Sequence, residues 1–238
     1  ALLLVAGMTL SLTACGGSTD TAKTDQADGK DTFTVGFDQD FPPFGYVGDD
    51  GEFTGFDIEM ATECAARMGK KIVLQPIDWD AKDMELEAGT IDCIWNGFTM
   101  NGREDQYTWT DPYMDNSQVV VVKKDSGINT LADLAGKVVE VQKESAAETA
   151  LNDEEHADLM ASFAQLLSVG EYNTAFMDLE SGAVDAVAID IGVAQFQIEG
   201  KEDQYQILDE TISSEQYAVG FFLGNTALRD EVQSTLLE

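Results

Sequence analysis

The chain has 238 residues, of which 45 are acidic and 13 are basic, so its formal net charge at pH 7 is −32. This charge argues against nucleic acid and anionic lipid surfaces as partners, and we attribute most of it to solubility. Hydrophobic residues make up 44% of the chain and 12 residues are Phe, a composition typical of a globular protein.

Residues 1–15 are predicted to be an export signal. The run ALLLVAGMTLSL is apolar but too short to cross a bilayer as a helix, as expected for the hydrophobic part of a secretory signal. It leads into LTAC at residues 12–15, which resembles the lipobox of bacterial lipoproteins, in which signal peptidase cleaves before a Cys that is then lipidated. Lipidation of Cys15 is our interpretation, and a signal peptide with an incidental Cys is the alternative.

Residues 16–31, GGSTDTAKTDQADGKD, are predicted to form a flexible tether. They are small and polar and lack apolar periodicity, so they cannot bury enough surface to offset their chain entropy. About 200 residues remain, enough for one large domain or two small lobes.

The next part of the chain is predicted to alternate strands and helices. Residues 33–37 form a strand, the two prolines of DQDFPPFGY exclude regular structure, and VGDDGEFTG supplies a hairpin tip. Residues 57–68 have the apolar period of an amphipathic helix that ends at Gly69. A strand KIVLQPI, a helix over residues 82–88 and a strand TIDCIW follow. This order predicts a parallel sheet covered by helices on both faces.

The same pattern restarts after residue 117. The predicted elements are a strand at 118–122, a short helix at 131–134, a turn and strand in LAGKVVEVQ, a helix from 145 to 151, a strand within 161–169, a helix at 173–180, strands at 183–189 and 217–223, and a helix at 226–236. We therefore predict an α/β protein of two lobes with a cleft between them. In open α/β sheets, ligands bind beyond the carboxyl ends of the strands.

The Cys and His residues do not suggest a metal site. Cys64 shares a helical face with apolar residues and Cys93 lies in an apolar run, so both are interpreted as buried thiols. A disulfide between them is the alternative in an exported protein. There is no CxxC, and His156 lies in the acidic run DEEHAD.

An ordered set of segments resembles a known family. DQDFPPFGY, GFDIEMA, GTIDCIWNGFT, an Arg, WTDPYM, LAGKVVEVQ and AVDAVAID are similar to segments of the polar amino-acid substrate-binding proteins of bacterial ABC importers, the extracellular solute-binding proteins of family 3. The resemblance implies a two-lobed, periplasmic-binding-protein-like (type II) fold in which the chain crosses between the lobes twice. It places lobe 1 at residues 32–115 plus 219–238, lobe 2 at 121–213, and hinges near 116–120 and 214–218.

The resemblance also implies a site for a free amino acid, both of whose charges need partners because an unpaired buried charge is very costly. Arg103 matches the family's carboxylate-binding Arg. Ser145 and Ala146, at a helix start, match its second carboxylate contact, where backbone N–H groups and the helix dipole favour an anion. Asp190 matches the acid that binds the α-ammonium. The carbonyl of Gly97 and the hydroxyl of Thr99 complete the part of the head-group site that lobe 1 supplies.

The ligand's side chain is expected to lie against an acid and aromatic walls. The matching residues are Asp38, Phe41 and Trp79, with Trp95, Asn96 and Gln142 as further wall residues. Aromatic faces supply apolar area and attract cations. Because Asp38 alone is charged among them, we expect a polar uncharged side chain (Gln-like or cystine-like) or a cationic one, rather than an acidic one.

Each of these residues also has a simpler structural interpretation. The alternatives are an Asx turn for Asp38, a core position for Trp79, a cap for Asp190 and an N-cap alone for Ser145. For Arg103 the alternative is an exposed pair with Glu104 or Asp105, worth about 0–1 kcal/mol.

The sequence departs from the family pattern in three places. Thr-x-Thr-x-x-Arg is here TMNGR at residues 99–103, one residue shorter and with Asn for the second Thr, although Gly102 could tighten the turn. A Gly-Thr pair of lobe 2 is replaced by Glu144 and Ser145. The chain starts without Met and stops before the last helix that many relatives carry, so we interpret it as a fragment at both ends.

Our leading interpretation is an extracytoplasmic, monomeric receptor, lipid-anchored to the outer face of the cytoplasmic membrane, that delivers an amino acid to the membrane subunits of an ABC importer. We expect neither catalysis nor a cofactor, because GxSxG and a Gly-rich phosphate loop are lacking. One alternative is a prephenate- or arogenate-dehydratase-like enzyme with Glu144 or Glu215 as its acid. The other is a ligand-sensing domain that reports to a membrane partner.

Overall fold

A computed structural model describes residues 30–238. The predicted signal peptide, Cys15 and most of the predicted tether lie outside these residues. The last two tether residues join the fold, because the carbonyl of Asp31 accepts the N–H of Lys71 at 2.7 Å and the ammonium of Lys30 lies 3.0 Å from Asp92. Within residues 30–238, no helix combines the length and the apolar character needed to cross a membrane.

The described chain alternates short strands and helices. The strands are β1 (Thr32–Phe37), β2 (Asp40–Phe41), β3 (Gly45–Val47), β4 (Phe53–Thr54), β5 (Lys71–Pro76), β6 (Cys93–Ile94), β7 (Thr108–Trp109), β8 (Met114–Lys123), β9 (Val138–Gln142), β10 (Gln165–Val169), β11 (Ala186–Asp190), β12 (Tyr205–Ile207), β13 (Ser213–Tyr217) and β14 (Gly220–Phe221). The α-helices are α1 (Phe56–Arg67), α2 (Lys82–Ala88), α3 (Ala146–Asn152), α4 (Ala157–Ser162), α5 (Tyr172–Ser181), α6 (Ile191–Ile198) and α7 (Thr226–Leu236). Short 3-10 turns occupy Trp79–Ala81, Leu131–Leu134 and Glu154–His156.

Two sheets with their helices form two lobes, as the sequence predicts. The first sheet has the strand order β5-β1-β6-β14-β7, and the second has the order β10-β9-β11-β8-β12, with β13 also paired to β8. The predicted parallel arrangement holds for β1, β5 and β6 and for β9, β10 and β11. Strands β7, β8, β12, β13 and β14 pair antiparallel, so both sheets are mixed.

The two segments predicted as hinges lie side by side. Residues 116–120 belong to β8 and residues 214–217 to β13, and Glu215 pairs with Asn116 in the antiparallel register of these strands. The chain therefore passes between the lobes through hydrogen-bonded strands, and an isolated bridge from Tyr217 to Thr99 continues this pairing toward lobe 1.

Each lobe has its own apolar core. Helix α1 buries Ala61, Cys64 and Ala65 against the first sheet, on the face that its periodicity predicts. Cys64 and Cys93 are both buried free thiols, so the disulfide alternative is not formed. Burial raises the pKa of Cys64 to about 11, which keeps this thiol protonated and unreactive.

Several predicted elements differ from the structure. DQDFPPFGY contains strands β2 and the start of β3, which with β4 form a three-stranded sheet, because Pro42 and Pro43 fall in the turn between them, where they need not donate to the ladder. The strand predicted at 217–223 is split between β13 and β14. Helix α6 was not predicted, because IGVAQFQI is apolar over most of its surface and has no clear helical period.

Candidate functional site

A cleft between the lobes brings together eleven of the twelve predicted binding residues. They are Asp38, Phe41, Trp79, Asn96, Gly97, Thr99, Arg103, Gln142, Ser145, Ala146 and Asp190. Several lie at or just after the carboxyl ends of parallel strands: Asp38 follows β1, Gln142 ends β9 and Asp190 ends β11. This position is the one that open α/β sheets offer to ligands.

Trp95 does not lie in this cleft, which corrects its prediction as a wall residue. Its side chain is fully buried in the core of lobe 1 beside Cys93, with its ring 6.4 Å from that of Tyr113. The N–H of Trp95 donates to the carbonyl of Gly36 at 3.1 Å, which extends the ladder of β6 along β1. Because side chains alternate along such a ladder, Trp95 faces the core whereas Asn96 faces the cleft.

Arg103 is held over the cleft by carbonyl groups of both lobes. Its Nη1 donates to the carbonyl of Thr99 at 3.3 Å, and its Nη2 donates to the carbonyl of Glu144 in lobe 2 at 3.2 Å. The side chain is 9% exposed and lies 5.5 Å from the ring of Phe98. It makes no ion pair with any acid of residues 30–238, so the exposed pair with a neighbouring acid is not formed.

The shortened loop before Arg103 still directs the guanidinium into the cleft. The N–H of Arg103 donates to the carbonyl of Met100 at 2.9 Å, which closes a tight turn. Gly102 adopts φ 78° in this turn, a left-handed conformation that a residue without Cβ tolerates. The carbonyl of Arg103 accepts from Trp109 Nε1 at 3.1 Å, which fixes the backbone on the lobe-1 core.

Ser145 is the N-cap of helix α3, as its structural alternative predicts, and it also lines the cleft. Its Oγ accepts the N–H of Glu148 at 3.1 Å. The preceding residue, Glu144, has φ 59°, a left-handed conformation that is uncommon for a residue with a side chain. This bend turns the carbonyl of Glu144 toward Arg103, so Arg103 is bonded to the residue that precedes Ser145.

Asp38 forms the predicted Asx turn and a contact between the lobes. Its Oδ1 accepts the N–H of Asp40 at 2.8 Å, and its Oδ2 accepts from Gln142 Nε2 of lobe 2 at 2.6 Å. Its N–H donates to Asn96 Oδ1 at 2.7 Å. Burial is the largest cause that raises the pKa of Asp38 to about 6, so this carboxylate gains from a nearby cation.

Both aromatic walls of the cleft pack against further aromatic rings. The ring of Trp79 stands edge-on to that of Phe98 with centroids 5.5 Å apart, so Trp79 belongs to the core and to the cleft at once. The ring of Phe41 lies 6.1 Å from that of Tyr172 in lobe 2. Lys82, which the sequence analysis did not select, is 3% exposed and its Nζ lies 5.3 Å from the Trp79 ring centroid. Burial, followed by the charge of Arg103, lowers its pKa.

Gly97 is held by an acid that the sequence analysis missed. Its N–H donates to Asp57 Oδ2 at 2.5 Å, and Asp57 also accepts from the hydroxyl of Tyr113 at 3.0 Å. Gly97 has φ 55°, and a Cβ there would lie 2.9 Å from Phe41 Cε1, so both conformation and space require glycine. Burial raises the pKa of the fully buried Asp57 to about 7.

Asp190 accepts hydrogen bonds from neutral groups of the crossing strands. Its Oδ1 receives Asn116 Nδ2 at 2.7 Å, Gln118 Nε2 at 2.8 Å and the hydroxyl of Tyr217 at 2.6 Å. Burial, followed by the charge of Glu215, raises the pKa of Asp190 to about 7. No Lys, Arg or His of the described chain forms an ion pair with it.

The neighbouring Glu215 was not selected as a binding residue. Its Oε1 accepts the same two amide groups, Asn116 Nδ2 at 2.7 Å and Gln118 Nε2 at 2.8 Å, and the hydroxyl of Thr99 at 2.7 Å. The sequence offered no signal for this network, because residues 115–118 and 213–216 are continuously polar and show no alternation that would identify a buried side. Neither Glu215 nor Glu144, the acids nominated for an enzyme, is among the cleft-lining residues.

The lobes touch around the cleft, so the structure shows a closed arrangement. The ammonium of Lys143 in lobe 2 lies 2.6 Å from the carboxylate of Asp80 in lobe 1. On the aromatic side, a Cβ on Gly192 would lie 2.9 Å from Phe44 Cζ, so helix α6 and the lobe-1 loop are in close contact. Closure buries the residues that line the cleft.

Two α/β lobes that close on a buried polar cleft define a type II periplasmic-binding-protein-like solute receptor. Residues 33–238 match the family model described as bacterial extracellular solute-binding proteins, family 3. The chain belongs to this family of solute-binding receptors, which places it outside the cytoplasm.

Individual relatives agree with this assignment. The chain is 29% identical over 241 residues to the L-cystine-binding protein TcyJ of Escherichia coli (strain K12), covering 100% of this chain and 86% of the relative. It is 28% identical over 240 residues to the arginine-binding extracellular protein ArtP of Bacillus subtilis (strain 168), covering 100% and 90%. Among solved structures, an ABC uptake transporter substrate binding protein from Streptococcus pneumoniae with bound histidine matches with a TM-score of 0.82 and 33% identity, covering 87% of this chain and 86% of that one.

Proposed function

We propose that this protein captures a free amino acid outside the cytoplasm and delivers it to an ABC importer. The observation that carries the proposal is a pair of opposite buried charges at one cleft. Arg103 has no acidic partner and Asp190 no basic partner among residues 30–238, although both are at least nine-tenths buried. An α-carboxylate and an α-ammonium would supply both missing charges.

The head group is proposed to bind as the sequence predicts. Arg103 holds the carboxylate together with the N–H group of Ala146, because the first N–H groups of a helix have no partner within that helix. Asp190, the carbonyl of Gly97 and the hydroxyl of Thr99 hold the ammonium. Because these groups come from both lobes, the ligand contacts the closed form more extensively and favours closure.

The ligand's side chain is proposed to be polar and uncharged or cationic. Asp38 supplies the negative charge, and Phe41 and Trp79 supply apolar faces. Relatives that are named for binding cystine or arginine, and a solved relative with bound histidine, have ligands of these kinds. The ammonium of Lys82 lies 5.3 Å from the centroid of the Trp79 ring, and its charge limits how much positive charge a ligand can place next to Trp79.

The remaining features of the proposal follow from the sequence. The receptor is a monomer whose lobes comprise residues 32–115 plus 219–238 and residues 121–213, with movement at 116–120 and 214–218. Lipidation of Cys15 and the polar tether anchor it to the outer face of the cytoplasmic membrane.

A thermal-shift screen tests the proposal. The purified protein is melted with each of the twenty amino acids, cystine and ornithine, and ligand at 100 times Kd is expected to add about 2.7 kcal/mol of stability. Arg103→Ala is expected to abolish the shift. Arg67→Ala is the control, because Arg67 pairs with Glu63 on the exposed face of α1, 2.8 Å away. A cooperative melt that no amino acid shifts would overturn the proposal.

A further inference from the structure

A second buried carboxylate, that of Glu215, lies behind the proposed ammonium site. Glu215 is 6% exposed and does not line the cleft, whereas Asp190 does. Oε1 of Glu215 and Oδ1 of Asp190 accept from the same two amide nitrogens, those of Asn116 and Gln118, at 2.7–2.8 Å. Two oxygens that share both donors lie close together, so the two acids form one site.

The charge of this pair is not balanced by the protein. Within the described part of the chain, no cationic side chain forms an ion pair with either acid. Amide and hydroxyl donors stabilise a carboxylate, but two adjacent carboxylates in a buried site disfavour ionisation of both. Without a cation from outside, Asp190 is therefore expected to keep its proton near neutral pH, in agreement with its raised pKa.

Among the other groups near the pair, two acids have raised pKa values in this range, Asp57 at about 7 and Asp38 at about 6. Two tyrosines approach it, Tyr217 from β13 and Tyr172 from α5, and burial raises the pKa of each well above its ordinary value. Burial does the same for Tyr113, whose ring lies 6.4 Å from that of Tyr217. Strand β8 contributes only amides, and the loop of lobe 1 contributes the hydroxyl of Thr99. Of the nearby charged residues, Asp57 bonds to Gly97 and Tyr113, and Arg103 bonds to carbonyl groups.

We propose that Glu215 is a positioning residue of the ammonium site that couples amino-acid binding to the release of one proton. The α-ammonium takes the place of the proton that Asp190 holds beside Glu215, and this proton passes to solvent as the ligand binds. Thr99 connects ammonium binding to proton release. Its hydroxyl donates to Glu215, and the same oxygen is the proposed acceptor for the ammonium. The inference rests on the proposed function and concerns the same site.

Proton release makes affinity depend on pH in a defined direction. Below about pH 7 the pair holds its proton before binding, so Kd is expected to rise about tenfold for each unit by which pH falls. Above that pH the proton is already absent and Kd becomes constant. Because the proton is released when the ligand is captured outside the cytoplasm, the coupling would weaken capture in acidic surroundings.

Calorimetry of the whole protein tests the inference. L-Glutamine, L-arginine and L-cystine are each titrated in buffers of different ionisation enthalpy between about pH 5 and pH 8, a range in which the glutamine and arginine side chains do not titrate. Wild-type protein is expected to release close to one proton per ligand at the acidic end. Glu215→Gln keeps a carbonyl acceptor and is expected to release measurably fewer protons, because only burial then raises the pKa of Asp190. Glu140→Gln, at a buried glutamate of β9 away from the cleft, is expected to retain it.

The outcomes separate the inference from the proposed function. Binding without proton release in the wild type overturns the inference alone and needs no folded variant. Equal release from wild type and Glu215→Gln overturns the role of Glu215. Absence of binding at every pH, by a folded protein, overturns the proposed function and the inference together.

Discussion

Gln142 Nε2 donates to Asp38 Oδ2 at 2.6 Å and thereby joins the end of β9 in lobe 2 to the loop after β1 in lobe 1. The same Nε2 donates to the carbonyl of Gly170 at 2.9 Å, so the amide is fixed from both sides. Closure of the lobes therefore buries the only carboxylate of the proposed side-chain pocket. Its raised pKa measures the cost of that burial, which a cationic side chain would offset.

Asp38→Asn is expected to change ligand preference. Removing the charge while keeping the shape should weaken binding of L-arginine by roughly tenfold or more and binding of L-glutamine much less, because only the cation loses a charge partner. Isothermal titration of both ligands measures the ratio. Asp49→Asn, at an exposed position in the loop between β3 and β4, is the control. Equal losses for both ligands would show that Asp38 acts through the turn alone.

Gly192→Val is expected to oppose closure. A Cβ at this position would lie 2.9 Å from Phe44 Cζ, and the further methyl groups of Val would press on the same ring. Ligand affinity should fall by roughly tenfold, while the melting temperature without ligand changes little, since the contact lies between lobes. Gly170→Ala, where a Cβ would meet open space, is the control. Unchanged affinity, or small-angle scattering that shows full compaction on ligand addition, would contradict the closed contact.

The free energy of unfolding is expected to fall as pH rises from about 5 to 8. The pKa of Asp57 is about 7 in the folded protein against an ordinary value of 3.8, so between these values the folded state binds the extra proton. This stability is present at low pH and is lost as pH rises through 7, at up to about 1.4 kcal/mol per pH unit for one such group. Urea unfolding at several pH values measures it.

Asp57→Asn supplies the matching comparison for that pH dependence. The variant removes one titrating group and should flatten the dependence, whereas Asp49→Asn should not. A slope that is the same in the wild type and in Asp57→Asn would mean that Asp57 is ionised in the folded protein.

Local patterns predicted much of the fold, whereas the cleft residues were predicted from the family resemblance. The apolar period of residues 57–68 located α1 to within one residue at each end, because this helix buries a single face. Gln142 and Asp190 were selected through the family resemblance, and the structure places both at the ends of buried strands, at the edge of the sheet that faces the cleft. Arg103 needed the family resemblance, since its turn alone is also compatible with an exposed ion pair.

The polar network of the crossing strands could not be predicted from local patterns. Asn116 and Gln118 resemble residues of an exposed strand, and they become buried only when β13, nearly one hundred residues later, pairs with β8. Burial of Glu215 and of Lys82 likewise depends on residues distant in sequence. Trp95 was misplaced because the sequence does not show which side of β6 faces the cleft.

The central claim, that Arg103 binds the α-carboxylate of an amino acid, is tested most directly by a double-mutant-type cycle between protein and ligand. L-Arginine and L-glutamine are compared with their α-carboxamides, which keep the shape of the head group but remove its negative charge. Each is titrated calorimetrically into the wild type, Arg103→Ala and the control Arg67→Ala.

The carboxamide is expected to bind wild type and Arg67→Ala at least about 100-fold more weakly than the amino acid, a difference of about 2.7 kcal/mol. Arg103→Ala should bind both forms weakly and almost equally, because the group that distinguishes them is gone. If the carboxamide lost the same factor in Arg103→Ala as in the wild type, the carboxylate would be bound elsewhere and the claim would be wrong.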